Sequence, residues 1–162
     1  GCREIAFGFE SGSQKILDNI KKRTTVEMNY KAAEYAKKHG IYVKGFMMVG
    51  LPGVDEETIR QTEKFIAESG MDTFQLSIYY PYRGTQIRER LDKGIDDLKF
   101  EGEGLGAYGA FGTSEAVVRT SRFSSKELFD IREALEKKYA KKSDQIKWKD
   151  SFFDTHLIRG GN

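Results

Sequence analysis

Three short loops of this 162-residue chain carry the residue types from which ligand sites are built. Each combines glycine or proline with side chains that hydrogen-bond. A carboxylate accepts bonds from ligand hydroxyls, and such charge-assisted bonds are the stronger ones. Glycine, which has no Cβ, lets the backbone approach a ligand closely. The loops are Glu10-Ser11-Gly12-Ser13, Gly50-Leu51-Pro52-Gly53 and Tyr79-Tyr80-Pro81-Tyr82-Arg83-Gly84-Thr85.

Each of these loops follows an apolar run that predicts a strand, at residues 5–9, 41–49 and 73–80. Helices are predicted between and after the strands, and two of them have good N-cap residues in Thr25 and Asp55. Strands separated by full helices pair in parallel through right-handed crossovers. The order therefore predicts an α/β fold, and in parallel α/β folds ligands gather at the carboxyl ends of the strands.

The predicted strands have two unlike faces, because side chains alternate across a strand. One face is bulky and apolar, as in Phe7, Met47 and Leu76, and is suited to helix packing. The opposite face carries small, polar and charged side chains. This composition favours a face that lines a functional barrel interior; the alternative is a face that is simply exposed to solvent. Its polar members are Glu10, Lys44, Gln75, Ser77 and Tyr79.

Composition excludes several classes of protein. Lys and Arg total 27 against 25 Asp and Glu, and the net charge of +2 gives no argument for a nucleic-acid or membrane-surface partner. The single cysteine, Cys2, excludes a disulfide framework and a self-contained cysteine cluster. No apolar run approaches the roughly 20 residues of a membrane span, so no membrane partner and a cytoplasmic location are expected.

The loop motifs, in order and at their spacing, resemble the second half of the radical S-adenosylmethionine (SAM) enzyme core. Gly8-Phe9-Glu10-Ser11-Gly12-Ser13 resembles its fourth β/α unit, residues 45–53 the fifth, and Tyr80–Thr85 the sixth. The likeness is closest to cobalamin-dependent members and to methylthiotransferases. It implies half of a parallel (β/α) partial barrel, about three β/α units over residues 1–93, with a C-terminal helical extension.

The resemblance implies SAM contacts for particular residues. Glu10 and Ser11 would contact the ribose, and Lys22, or its neighbour Arg23, the SAM carboxylate. For Glu10 the alternative is a surface carboxylate at a helix N-terminus. For Lys22 and Arg23 it is a solvated basic turn. The adenine contacts would come from Met48, Gly50, Tyr79 and Pro81; for Met48 and Gly50 the alternative is ordinary strand packing.

Lys44 lies outside the general family pattern. Its predicted inward direction makes it a candidate for contact with the substrate or the SAM carboxylate. The alternative is that its chain extends toward the far end of the barrel.

The family's [4Fe–4S] cluster needs three closely spaced cysteines, which this chain lacks. We expect the cluster ligands in a missing N-terminal half, which would be the main partner, and we expect the chain alone to bind no cluster. A cobalamin domain upstream is a further expectation, as is a small-molecule or macromolecular substrate. Cys2 is read as a buried or incidental thiol.

Beyond residue 93 we predict a Gly-rich loop over 94–116 and an extension over 117–162 with one long amphipathic helix, 126–142. Half a barrel would expose two strand edges, a pairing hazard that predicts a homodimer. The alternative to a radical SAM enzyme is a non-catalytic nucleotide-binding or scaffolding α/β domain. The nucleotide-binding form is disfavoured because the first strand is followed by no G-x-G-x-x-G.

Overall fold

The computed structural model describes residues 1–101 and 118–142. In the core, each strand is followed by one or two helices. They are β1 (Glu4–Glu10), α1 (Gln14–Asn19), α2 (Val26–Lys38), β2 (Tyr42–Val49), α3 (Glu56–Glu68), β3 (Thr73–Ile78) and α4 (Gln86–Asp92). Three elements follow: β4 (Lys99–Phe100), β5 (Val118–Arg119) and α5 (Ser125–Lys138).

The first three strands form one parallel sheet in the order β1-β2-β3. This confirms the predicted α/β fold. The two short strands β4 and β5 pair antiparallel in a separate sheet. β4, at residues 99–100, lies inside the segment 94–116 that was predicted as a loop. Residues 102–116 of that segment lie outside the described residues.

One face of the parallel sheet is closed by α2, α3 and α5. From the strands, Phe9, Val43, Met47, Phe74 and Leu76 are almost completely buried. The helices meet them with small and apolar side chains: Ala33 and Ala36 from α2, Phe65 and Ile66 from α3, and Leu135 from α5. The predicted apolar face of each strand is therefore the face that packs in the core. We call it the closed face.

Helices α2 and α3 start at their predicted caps. Thr25 accepts a hydrogen bond from the Met28 amide at the start of α2. Asp55 and Thr58 form a reciprocal capping box on α3, and Ser124 and Glu127 form another on α5. Helix α5 ends at Lys138, four residues before the predicted end, with Tyr139 as its C-cap.

The outer edge of β3 is covered by the chain from α5 onwards. The Leu76 amide donates to the Glu136 carboxylate at 3.3 Å, and the Phe74 amide donates to the Lys142 carbonyl at 2.8 Å. The sequence predicts two exposed sheet edges, but the β3 edge is covered in this way. The homodimer inferred from open edges stays a prediction.

None of the helices in the described part of the chain is both long and apolar enough to cross a membrane.

Candidate functional site

The candidate site lies on the face of the sheet opposite the closed face, at the carboxyl ends of the strands. We call this the open face. Its residues are partly or largely accessible, in contrast to their neighbours in the same strands. They are Ala6, Gly8 and Glu10 of β1, Lys44, Phe46 and Met48 of β2, and Gln75 and Ser77 of β3.

Glu10, the last residue of β1, is the main polar side chain of this face. Its backbone has φ +63°, a conformation that non-glycine residues rarely adopt, and it stands where the register of β1 and β2 shifts. Lys22 Nζ donates to Glu10 Oε1 at 2.8 Å. Glu10 Oε2 is buried and has no hydrogen-bond partner within residues 1–101 and 118–142.

Ser11 is placed differently from Glu10. It is buried, its hydroxyl lies 2.9 Å from the Thr62 hydroxyl of α3, and it accepts a bond from the Ser13 amide. Thr62 also accepts from the Gly12 amide. The Ser11 side chain thus joins the end of β1 to α3, whereas Glu10 extends over the open face.

Gly12 explains how closely these two elements approach. A Cβ on Gly12 would lie 2.5 Å from the Gln61 carbonyl oxygen and 2.8 Å from Thr62 Cα. Because those atoms belong to the backbone of α3, they could not move aside locally. Glycine at this position lets the loop after β1 lie directly on α3.

The loop after β2 is fixed from several sides. Gly50 has φ +79°, and a Cβ there would meet Leu128 of α5 at 3.2 Å. The Asn19 side chain donates to the Pro52 carbonyl. Gly50 is therefore buried against α5, and its predicted contact with SAM stays a prediction.

Met48 precedes this loop on the open face. It is half-buried and packs at the margin of a second apolar cluster that includes Ile16, Leu51 and Val54. It is available for an apolar contact at the carboxyl end of β2.

The segment after β3 brings aromatic rings to the same end of the sheet. Pro81 is buried and Tyr79 half-buried. Burial raises the pKa of Tyr79; a hydrogen bond with Thr85 opposes this shift, and the negative charge of Asp96 adds to it. The Tyr80 ring meets the rings of Tyr82 and Phe100, and the guanidinium of Arg88 lies 4.6 Å from the Phe100 ring centroid.

Lys44 and Phe46 stand side by side in the middle of the open face. The Lys44 ammonium lies 5.4 Å from the Phe46 ring centroid, within the range of a cation–π contact. Phe46 is 39% exposed, and its strand neighbours are Gly8 on one side and Gln75 on the other. Sequence reasoning did not identify Phe46 as a site residue; the available signal was an aromatic residue two positions from Lys44, on the same side of the strand.

Asp96 was also missed by sequence reasoning. Its side chain is 5% exposed and bonds Arg90, while its Oδ2 atom has no hydrogen-bond partner in the part of the chain that the structure describes. No sequence signal pointed to it, because it follows the predicted helix in a polar turn.

The described residues include no group of three or more His, Cys, Asp or Glu side chains arranged to hold a metal ion. Cys2 is exposed rather than buried, which corrects one of the two readings of this thiol. It precedes β1 and so lies at the amino end of the strands, away from Glu10.

Several known proteins are similar to this chain over part of its length. Residues 1–66 match the model of the radical SAM superfamily. An uncharacterized methyltransferase of Pyrococcus horikoshii is 36% identical over 89 residues, which is 55% of this chain and 19% of that protein. A putative methylthiotransferase of Methanocaldococcus jannaschii is 32% identical over 120 residues, or 71% of this chain and 26% of that protein.

A solved structure supports the fold. The archaeal Methanocaldococcus infernus Elp3 with an N-terminal deletion superimposes with a TM-score of 0.56 at 24% identity. The match covers 88% of this chain and 37% of that one. The chain thus spans about a fifth to a quarter of the two curated relatives, and a larger share of the structural neighbour.

Proposed function

With residues 1–66 belonging to the radical SAM superfamily, we propose that this chain is the SAM-binding portion of a radical SAM enzyme. The enzyme would cleave SAM reductively to a 5′-deoxyadenosyl radical. Its relatives named as a methyltransferase and a methylthiotransferase support a group-transfer reaction within this chemistry.

The observation that carries the proposal is the buried Oε2 atom of Glu10 at the carboxyl end of β1, which has no hydrogen-bond partner among the described residues. A buried carboxylate oxygen without a partner is costly, and such atoms in native structures call for an explanation. A ligand hydroxyl would supply the missing hydrogen bond. The ribose of SAM carries two adjacent hydroxyls, so the residues present fit this part of the ligand.

Ser11 fits the ribose less well than Glu10. Its hydroxyl is already engaged by Thr62 and by the Ser13 amide, and the residue is buried. We therefore assign the ribose contact to Glu10 and give Ser11 the task of holding the end of β1 on α3.

The adenine would lie toward β2 and the segment after β3. Met48 offers an apolar side chain there, and Tyr79 and Pro81 offer a half-buried and a buried ring. Lys44 and Phe46, lower on the open face, would meet the substrate, with the Lys44 ammonium favouring an anionic or electron-rich group.

The chain's own residues do not fit the cluster. A [4Fe–4S] cluster needs several thiolates, and the chain has one cysteine, exposed and at the amino end of β1. We propose that the cluster ligands, and any cobalamin site, belong to parts of the protein outside these 162 residues.

The test uses the full-length protein reconstituted without oxygen. It should release 5′-deoxyadenosine from SAM when a chemical reductant is added. Glu10→Gln should weaken SAM binding about tenfold or more, because a bond to a charged acceptor is lost.

The matched control is Glu57→Gln, an exposed carboxylate on α3 that bonds Arg60 and Gln61. It should bind SAM as the unaltered protein does. Absence of 5′-deoxyadenosine, or equal binding by Glu10→Gln and Glu57→Gln, would contradict the proposal.

A further inference from the structure

The end of α1 fixes the position of Lys22. The Lys22 amide donates to the Leu17 carbonyl at 2.9 Å, and the Lys21 amide donates to the Asp18 carbonyl at 3.0 Å. These are the two bonds of a Schellman motif, in which the left-handed residue is usually glycine. Here that residue is Lys21, with φ +55°. The motif reverses the chain and turns Lys22 back toward β1.

The backbone on both sides of Lys22 is strained. Arg23 also has a left-handed conformation, with φ +62°. In the described residues, the non-glycine residues with positive φ are Glu10, Lys21 and Arg23. This conformation is unfavourable for residues with a Cβ, and such strain persists where the surrounding structure enforces it and often marks a functional site. The strained residues are thus Glu10, which forms an ion pair with Lys22, and the two residues on either side of Lys22.

The pair formed by Lys22 and Glu10 lies directly over Gly8. A Cβ on Gly8 would stand 2.7 Å from Glu10 Oε1 and 3.2 Å from Lys22 Nζ. The pair therefore crosses the open face of β1 at the one strand position that has no side chain. Both side chains are largely shielded, with 17% of Glu10 and 31% of Lys22 exposed.

We propose that Lys22 is a positioning residue that holds Glu10 Oε1 and so presents Glu10 Oε2 to the ligand. The inference rests on the proposed function and changes the role that sequence reasoning gave to Lys22, which was direct contact with the SAM carboxylate. The geometry assigns the ammonium to the protein's own carboxylate. Lys22 then affects ligand binding through Glu10, whatever group the ligand carries beyond its ribose.

Two ligands separate the two roles. SAM has both a ribose and a carboxylate, whereas 5′-methylthioadenosine retains the ribose and adenine but has no carboxylate. In the full-length protein, Lys22→Met should weaken binding of both by a similar factor, about tenfold. Isothermal titration measures both affinities. A loss confined to SAM, or no loss for either ligand, would overturn the proposal.

Lys31→Met is the matched control for the lost charge. Lys31 forms an exposed pair with Glu27 on α2, away from β1. It should leave both affinities unchanged. An equal loss in this variant would mean that general charge, rather than Glu10, sets the affinity, and would overturn the assignment.

A double-mutant cycle tests whether Lys22 acts through Glu10. In a Glu10→Gln background, Lys22→Met should cause little further loss, because the carboxylate that Lys22 positions is gone. Additive losses would overturn the positioning role while leaving the ribose contact of Glu10 intact. If Glu10→Gln alone binds SAM as the unaltered protein does, the proposed function fails instead. Failure of the positioning role and failure of the proposed function therefore give different results.

Gly8→Ala tests the geometry while keeping both charges. The added Cβ collides only with the ends of two flexible side chains, so the fold should survive, as a thermal melt would verify. Binding of both ligands should fall, because the pair must shift. Lys22→Arg, which retains a cation, should restore part of the affinity lost in Lys22→Met. Full affinity in Gly8→Ala, or no recovery in Lys22→Arg, would contradict the inference.

Discussion

The two faces of the three-stranded sheet are built by the same strands and differ in what they hold. On the closed face Phe9, Met47 and Leu76 are almost fully buried against three helices. On the open face Gly8 and Phe46 are exposed. Among the described residues, the non-glycine residues with positive φ lie at the carboxyl end of β1 and in the turn after α1. The difference indicates that burial on the closed face stabilises the fold, which allows the open face to keep exposed and strained residues.

Two carboxylates sharpen the comparison, since each is paired with a lysine. Asp55 uses both oxygens within the protein: Oδ2 bonds Lys15 at 2.7 Å and Oδ1 accepts the Thr58 amide at 2.8 Å. Glu10 uses only Oε1, and its Oε2 is left without a partner in the described residues. The first arrangement caps a helix; the second retains an acceptor for a ligand.

The largest expected effect separates two phenylalanines. Phe65→Ala should lower the free energy of unfolding by about 3–5 kcal/mol, because its ring is fully buried and packs edge-on against Phe9 and Tyr30. Phe46→Ala should cost less than about 1 kcal/mol, since that ring is exposed on the open face. Urea denaturation measures both. Similar losses in the two variants would show that the open face is also part of the core.

A pair of glycines gives the next largest effect. Gly12→Ala should destabilise by about 1–3 kcal/mol, because its Cβ would collide with the backbone of α3. Gly8→Ala should change stability by less than about 1 kcal/mol, since it meets only side-chain ends on the open face. The midpoints of denaturation of the two variants provide the comparison. A greater loss at Gly8 than at Gly12 would reverse our assignment of the two faces.

The smallest effect concerns pH and Asp55. The Lys15 ammonium and the Thr58 amide lower the pKa of Asp55 to about 2, from 3.8. A depressed pKa stabilises the fold above the unfolded value, and that contribution is lost as pH falls from about 4 toward 2. Asp55→Asn keeps a capping side chain but cannot titrate. The stability difference between it and the unaltered protein should shrink by about 1–2 kcal/mol between pH 5 and pH 2. A constant difference across this range would mean that Asp55 is not held by these partners.

Much of the fold could be predicted because it follows from local patterns. The alternation of apolar residues identified the closed face of all three strands, and the cap residues Thr25 and Asp55 marked where two helices begin. Helix α3, residues 56–68, begins directly after its predicted cap Asp55. The strand ends were less accurate: β3 ends at Ile78 rather than at residue 80. Tyr79 and Tyr80 continue the apolar pattern beyond the last paired residues, Val49 and Ile78.

The candidate site was predictable only in part. Glu10 lies where its motif placed it, but nothing in the sequence distinguished it from Ser11, whose hydroxyl bonds Thr62, 51 residues away. Lys22 was identified as a basic residue near the site, yet its partner depends on the turn after α1. The covering of the β3 edge by Glu136 was not predicted, since it joins residues 60 apart.

The sequence by itself determined the order of strands and helices, the two faces of each strand and the loops that form the candidate site. These depend on periodicity, caps and glycines, which act between near neighbours. Only the tertiary structure decided which hydroxyl is already bonded, which carboxylate oxygen is left over and which carboxylate Lys22 holds. Those outcomes depend on distances between side chains far apart in the chain, and such distances are set only when the strands and helices pack.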